Sequence, residues 1–156
     1  MAATILMADD NPCDILEVER VLRKARISNP LCAVRDGLEL IAYLQGEGAY
    51  GDRILYPYPA IVLLDLKMPR KSGLEVLEWL RTGPEHQELG VIVLTALEDL
   101  DELRRAYQLG AHSFLAKPIG VADFHNLATG LKGIALESNP DGQYLKFNTK
   151  LFRRLA

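Results

Sequence analysis

Residues 60–73 read AIVLLDLKMPRKSG, in which four apolar residues, Ile61 to Leu64, run straight into a carboxylate at Asp65. A short, branched, apolar run without polar alternation reads as a strand covered on both faces, the signature of a parallel sheet. The Pro and Gly that follow punctuate a turn. An acid at the end of a buried strand either caps a neighbouring helix or takes part in chemistry, and the rest of the chain must decide which.

The same alternation extends in both directions. Residues 4–8 form a short apolar run, followed by NPCDILEVERVLRKA, with Asn11 as a cap, Pro12 as a first helical residue, and Ile15, Val18, Leu22 and Ala25 on one face. Further strands are expected at 31–34, 91–94 and 113–116. Helices are expected at 38–44, 74–81, 98–109 (ended by Gly110) and 121–136. Strand–helix units repeated in this way predict an α/β fold, a doubly wound five-stranded parallel sheet with helices on both faces. Ligands of such sheets bind outside the carboxyl ends of the strands. Those ends carry Asp9 and Asp10 after strand 1, Asp65 after strand 3, Thr95 after strand 4 and Lys117 after strand 5.

The chain has 156 residues, 49% hydrophobic and 25% charged, which predicts one domain with a substantial core. A net charge of -3 offers no positive field to gather DNA or anionic lipid, so no direct DNA binding is expected. The first residues, MAATILMADD, lack a basic leader, and no run approaches the ~18 apolar residues of a membrane span. A cytoplasmic location with no membrane partner is expected. Cys13 and Cys32 read as reduced packing residues, without CxxC or Cys/His clustering. No GxSxG, HExxH, GxxxxGK[ST] or GxGxxG occurs.

Three carboxylates gathered at one sheet edge repel one another unless a cation stands among them. Mg²⁺ suits such oxygen ligands, and Asp9 and Asp10 suit that role. Asp65 can then attack a phosphoryl group, Thr95 can donate its hydroxyl to a phosphoryl oxygen, and Lys117 can pair with Asp65 or the phosphoryl charge. Ala96 and Gly73 add little bulk to block entry. Singly, each residue has a plainer reading: a helix cap for Asp9 and Asp10, a strand end for Thr95, a surface charge for Lys117. Their joint occurrence at the ends of four of five strands favours a site.

In order, ADDNP, LLDLKMPRKSG, VLTA and FLAKP resemble the successive motifs of a two-component response-regulator receiver domain, CheY-like, over residues 4–136. The resemblance implies a flavodoxin-like strand order of 2-1-3-4-5. It implies Asp65 as acceptor of a phosphoryl group from a sensor histidine kinase, and Mg²⁺ held by Asp9, Asp10, Asp65 and the main-chain carbonyl of Lys67. Thr95 corresponds to the switch hydroxyl, Lys117 to the family's lysine and Phe114 to the aromatic that changes rotamer, while the Lys117–Pro118 bond corresponds to one that is cis. Leu97 and Lys67, two residues past Thr95 and Asp65, flank the phosphoryl group by the same resemblance. Because Leu97 cannot hydrogen-bond an attacking water, a phosphorylated state that is not especially short-lived is expected.

The loop QGEGAYGDRILYPYPA (residues 45–60) resembles that of stand-alone regulators associated with bacterial and cyanobacterial phytochromes, which implies a phytochrome as the kinase partner. Its Tyr50, Tyr56 and Tyr58 otherwise simply pack down. The division expected is a receiver domain at 1–137 and a C-terminal extension at 138–156, too short for a DNA-binding output domain. Output to a downstream protein target is therefore expected. In the extension Tyr144, Phe147, Leu151 and Leu155 recur near helical spacing, predicting an amphipathic arm that docks on its own domain or mediates a homodimer. Two other functions compete. A Mg²⁺ phosphohydrolase with an Asp nucleophile would want an acid at Lys67, and flavin binding would want Ser, Thr and Gly where Asp9 and Asp10 stand. A receiver-like binding module that has lost phosphorylation is disfavoured by the intact site residues.

Overall fold

In the computed structural model, residues 2–154 are described. Five parallel strands, β1 (Ile5–Ala8), β2 (Leu31–Val34), β3 (Ile61–Asp65), β4 (Gly90–Thr95) and β5 (Ser113–Ala116), form one sheet in the order β2-β1-β3-β4-β5. This is the expected doubly wound, CheY-like order. β1, β3 and most of β4 are buried along their whole length, which explains their unbroken Ile, Val and Leu content.

The helices α1 (Pro12–Lys24), α2 (Gly37–Gln45), α3 (Gly73–Thr82), α4 (Leu100–Gln108) and α5 (Val121–Gly130) divide the core into two parts. On one face, Leu40, Tyr43, Val76, Leu77, Leu80, Leu103 and Ala106 pack on the sheet. On the other, Ile15, Val18, Leu22, Phe124 and Leu127 do so. Local chemistry sets the helix starts. Asn11 accepts the Cys13 amide ahead of Pro12, and Ser72 and Glu75 form a reciprocal capping box ahead of α3. Asp36 caps α2 through the Glu39 amide and also pairs with Arg70 at 2.6 Å, which ties the loop after β3 to α2.

The last helix is shorter than the periodicity predicts. It ends at Gly130 rather than Leu136, because Gly130 and Gly133 break it and Gly133 sits at φ 99°. Two antiparallel strands follow, β6 (Ile134–Asn139) and β7 (Gly142–Phe147), and then a single 3-10 turn at Thr149–Phe152. This corrects the expected amphipathic helical arm. The decisive signal is NPDG at 139–142, which makes a two-residue turn: Asn139 accepts the Asp141 amide and Gly142 takes φ 142°. Tyr144, Phe147 and Leu151 are spaced like a helix only by coincidence, and Leu155 lies outside the described residues. The hairpin and the turn after it dock on their own chain, with Ile134, Leu145 and Phe152 buried in the cluster that holds side chains of α1 and α5. Asn29 fixes it by donating to the carbonyls of Ala3 and Leu145 and accepting the Leu145 amide.

The loop between α2 and β3 is ordered and contains one 3-10 turn, Gly48–Tyr50. Tyr50 and Tyr56 pack on Tyr43 with ring centroids 5.0 and 6.0 Å away. Arg53 donates to the carbonyls of Tyr43 and Leu44 near the end of α2 and to that of Tyr56, which ties the loop to the helix end. Tyr58 packs elsewhere, stacked on His86. No helix among the described residues is long and apolar enough to cross a membrane.

Candidate functional site

Parallel strands that start in register also end together, so residues far apart in sequence meet at one edge of the sheet. Asp9 and Asp10 follow β1, Asp65 is the last residue of β3, Thr95 the last of β4, and Lys117 follows β5. One carboxylate oxygen from each of Asp9, Asp10 and Asp65 can be chosen so that all three lie within 4.8 Å of one another. Lys117 Nζ stands 2.9 Å from Asp9 Oδ2 and 3.6 Å from Asp65 Oδ2. The Lys117–Pro118 peptide bond is cis.

Asp9 is fully buried, so its charge must be satisfied locally. Its Oδ1 accepts the Asn11 amide and its Oδ2 accepts Lys117. The capping reading of this acid is thus half right, since Asp9 shapes the turn before α1 while its other oxygen faces the site. Burial and the neighbouring Asp9 charge push the Asp65 carboxyl up to about 6, against the pull of Lys117 and the Lys67 amide. Burial disfavours the Lys117 ammonium, but hydrogen bonds to Asp14 and Asp9 and the charge of Asp65 outweigh it and hold the amine above its ordinary value.

Asp65, Lys67, Thr95, Ala96 and Lys117 line a cleft of about 220 Å³. Thr95 Oγ1 accepts the Leu97 amide at 3.0 Å, which leaves the hydroxyl proton for another partner. Leu97 lies beyond the strand at φ 61°, half exposed. Phe114 is not in the cleft. It lines a separate groove of about 310 Å³ between β5 and α5, on the same face of β5 as Ala116, the residue paired with Thr95. Gly73 serves packing rather than access, because a Cβ there would stand 2.6 Å from the Asp65 carbonyl oxygen.

Sequence reasoning missed four acids here. Asp14, in the first turn of α1, lies 2.9 Å from Lys117 Nζ. Glu98, Asp99 and Glu102 line the cleft, and Glu98 approaches Lys67 Nζ at 3.8 Å. Asp14 was legible in principle, since a residue three places into a helix that starts at the sheet edge points back toward that edge.

Residues 5–129 match the model of the response regulator receiver domain. The chain belongs to that family. As a receiver it is similar to response regulator Rcp1 of Synechocystis sp., 33% identical over 134 residues that span 86% of this chain and 89% of Rcp1. A solved structure of Rcp1 in its Mn²⁺-bound form superposes with a TM-score of 0.70 at 30% identity, covering 87% of this chain and 99% of that one. The bacteriophytochrome response regulator RtBRR superposes with a TM-score of 0.75 at 30% identity, covering 91% of this receiver and 87% of RtBRR. The phosphorylated cyanobacterial phytochrome response regulator RcpA gives 0.69 at 30% identity, with 78% and 85% covered.

Proposed function

We propose that this receiver accepts a phosphoryl group on Asp65 from the phosphohistidine of a sensor histidine kinase and passes the signal to a protein partner by a change of shape. The observation that carries this reading is Lys117 Nζ held between Asp9 and Asp65 beside a cleft that Thr95 also lines. A lone carboxylate at a strand end would need no such neighbour.

Hard oxygen donors fit a divalent cation: Asp9, Asp10 and Asp65 would hold Mg²⁺, with the main-chain carbonyl of Lys67 as a further ligand. When bound, the cation neutralises charge on the transferring oxygens. The Mn²⁺ form of Rcp1 supports this choice. An Asp65 carboxylate oxygen attacks phosphorus in line with the departing imidazole nitrogen; a P–O bond forms and the P–N bond breaks with its electron pair going to the ring. Lys117 offsets the added negative charge, and Thr95 donates its hydroxyl to a phosphoryl oxygen. In the acyl phosphate, Leu97 has no polar group to orient an attacking water, so the label is lost slowly.

The added charge, roughly -1.5 to -2, draws Thr95 inward and lets Phe114 turn toward the vacated space. The α4–β5–α5 surface then changes for its target. Similarity to RtBRR and RcpA supports a phytochrome-type kinase as the partner. In this reading residues 138–156 are an extension of the receiver that docks on its own core, and self-association is tested by molar mass from light scattering with and without phosphodonor.

The test is intact mass of the wild type and Asp65→Asn after incubation with Mg²⁺ and acetyl phosphate. One added phosphoryl group on the wild type alone is expected. Steady consumption of donor without an adduct would instead indicate a phosphohydrolase, and an untouched donor a receiver that no longer takes phosphate.

A further inference from the structure

Lys117 has three carboxylate neighbours, and the nearest are not the proposed acceptor. Its Nζ is 2.9 Å from both Asp9 Oδ2 and Asp14 Oδ2 but 3.6 Å from Asp65 Oδ2. The other demands on these acids differ. Asp9 Oδ1 is held by the Asn11 amide and Asp65 Oδ1 by the Lys67 amide, whereas Asp14 makes no other ion pair or side-chain hydrogen bond among the described residues. Nearby Glu17 is occupied by Arg20 at 2.7 Å. Asp14 also sits in the first turn of α1, where the helix dipole favours a negative charge. Among the described residues its one side-chain partner is Lys117.

There is room for the lysine to move. Lys117 forms a wall of the 220 Å³ cleft on the Asp65 side. It also walls a gap of about 30 Å³ on the other side, shared with Asp14, Glu17, Val18 and Ile119. Its side chain therefore separates two spaces rather than filling one.

We propose that Asp14 is a positioning residue that draws the Lys117 ammonium away from Asp65 in the unphosphorylated protein, so that the ammonium must leave Asp14 when an anionic phosphoryl group stands on Asp65. The inference rests on Asp65 being the acceptor. Its consequence is a built-in bias against the phosphorylated state: the Lys117–Asp14 pair is stretched or broken as the Lys117–phosphoryl pair forms. Removing the Asp14 charge frees the lysine and also makes the site less negative, and both effects favour an anion on Asp65.

The test is calorimetric titration with beryllofluoride, a non-covalent phosphoryl analogue, at saturating Mg²⁺. Asp14→Asn is expected to bind it about fivefold more tightly than the wild type, the scale of one partly exposed ion pair. Asp14→Glu, which keeps the charge, is expected to bind like the wild type. In a Lys117→Ala background, Asp14→Asn is expected to tighten binding clearly less, because only the general loss of negative charge is left to act. If Asp14→Asn does not fold, Asp14→Ser removes the same charge and keeps a short polar group in the first turn. Unchanged or weaker binding by the folded variant overturns the proposal, as does equal tightening without Lys117. A wild type that neither binds beryllofluoride nor takes a phosphoryl group would remove the acceptor reading and this inference together; a wild type that binds it normally isolates the fate of Asp14.

Discussion

His112 Nε2 lies 2.7 Å from the carbonyl oxygen of Phe152, while its Nδ1 lies 3.0 Å from the amide nitrogen of Val91. The ring thus donates to the C-terminal segment and accepts from β4, an arrangement only the neutral imidazole can make. Burial, aided by the Arg154 charge, holds the imidazole below its ordinary value. As pH falls through about 6.5 the unfolded chain takes up a proton that the folded chain refuses, so stability falls. His86, also held down by burial, acts in the same direction. Denaturant melts at pH 7 and pH 5 are expected to show a larger loss for the wild type than for His112→Gln. Equal losses would refute the assignment.

Gly73 admits the start of α3 against the end of β3, where a Cβ would stand 2.7 Å from the Leu66 Cα. The obstacle is backbone, which cannot swing aside. Gly73→Ala is expected to cost about 1–3 kcal/mol, the scale of overpacking, and to disturb Asp65 directly. Thermal melts and the phosphorylation rate should both change; a melt shifted with the rate untouched would mean the strand end does not feel the helix.

Phe152 is fully buried and meets both His112, at a ring distance of 5.2 Å, and the backbone at Gly90. Replacement by Ala is expected to cost about 3–5 kcal/mol. A much smaller loss in a urea melt would show that the segment after the hairpin does not support the core.

With its carboxyl raised to about 6, Asp65 competes for a proton near neutral pH. A cation needs the carboxylate, so Mg²⁺ affinity is expected to fall as pH drops below 6. Mg²⁺ titrations at pH 5 and pH 7.5 test this. Asp65→Asn should bind the ion weakly and with a flatter pH dependence, and an equal pH dependence in both proteins would place the proton elsewhere.

Much of the fold was legible because burial leaves simple marks. Runs such as IVLL and VIVL, branched, short and bounded by turn residues, fit a covered parallel strand, and the polar residue ending each run then falls at one edge. The site emerged from that register rather than from any single residue. What escaped the sequence depends on partners distant along the chain. Arg70 reaches Asp36, Asp14 reaches Lys117, and His112 reaches Phe152 through contacts that no local spacing announces. The C-terminal hairpin was misread for another reason. Tyr144, Phe147 and Leu151 fit a helical spacing while Leu145 and Phe147 fit a strand's, and the turn chemistry of NPDG should have outweighed the helical one.

Two segments outside the five strand–helix units pack against opposite faces of the molecule. The tyrosine loop braces one face of the sheet beside α2, and the hairpin braces the other beside α1 and α5. Neither reaches the rim formed by α4, β5 and the start of α5, where Leu97, Leu100, Tyr107, Phe114 and Val121 all remain substantially exposed. In mechanical terms the domain is a plate clamped on both sides with one free border. A displacement started at the carboxylate cluster would meet fewer packed side chains along that border than on either braced face.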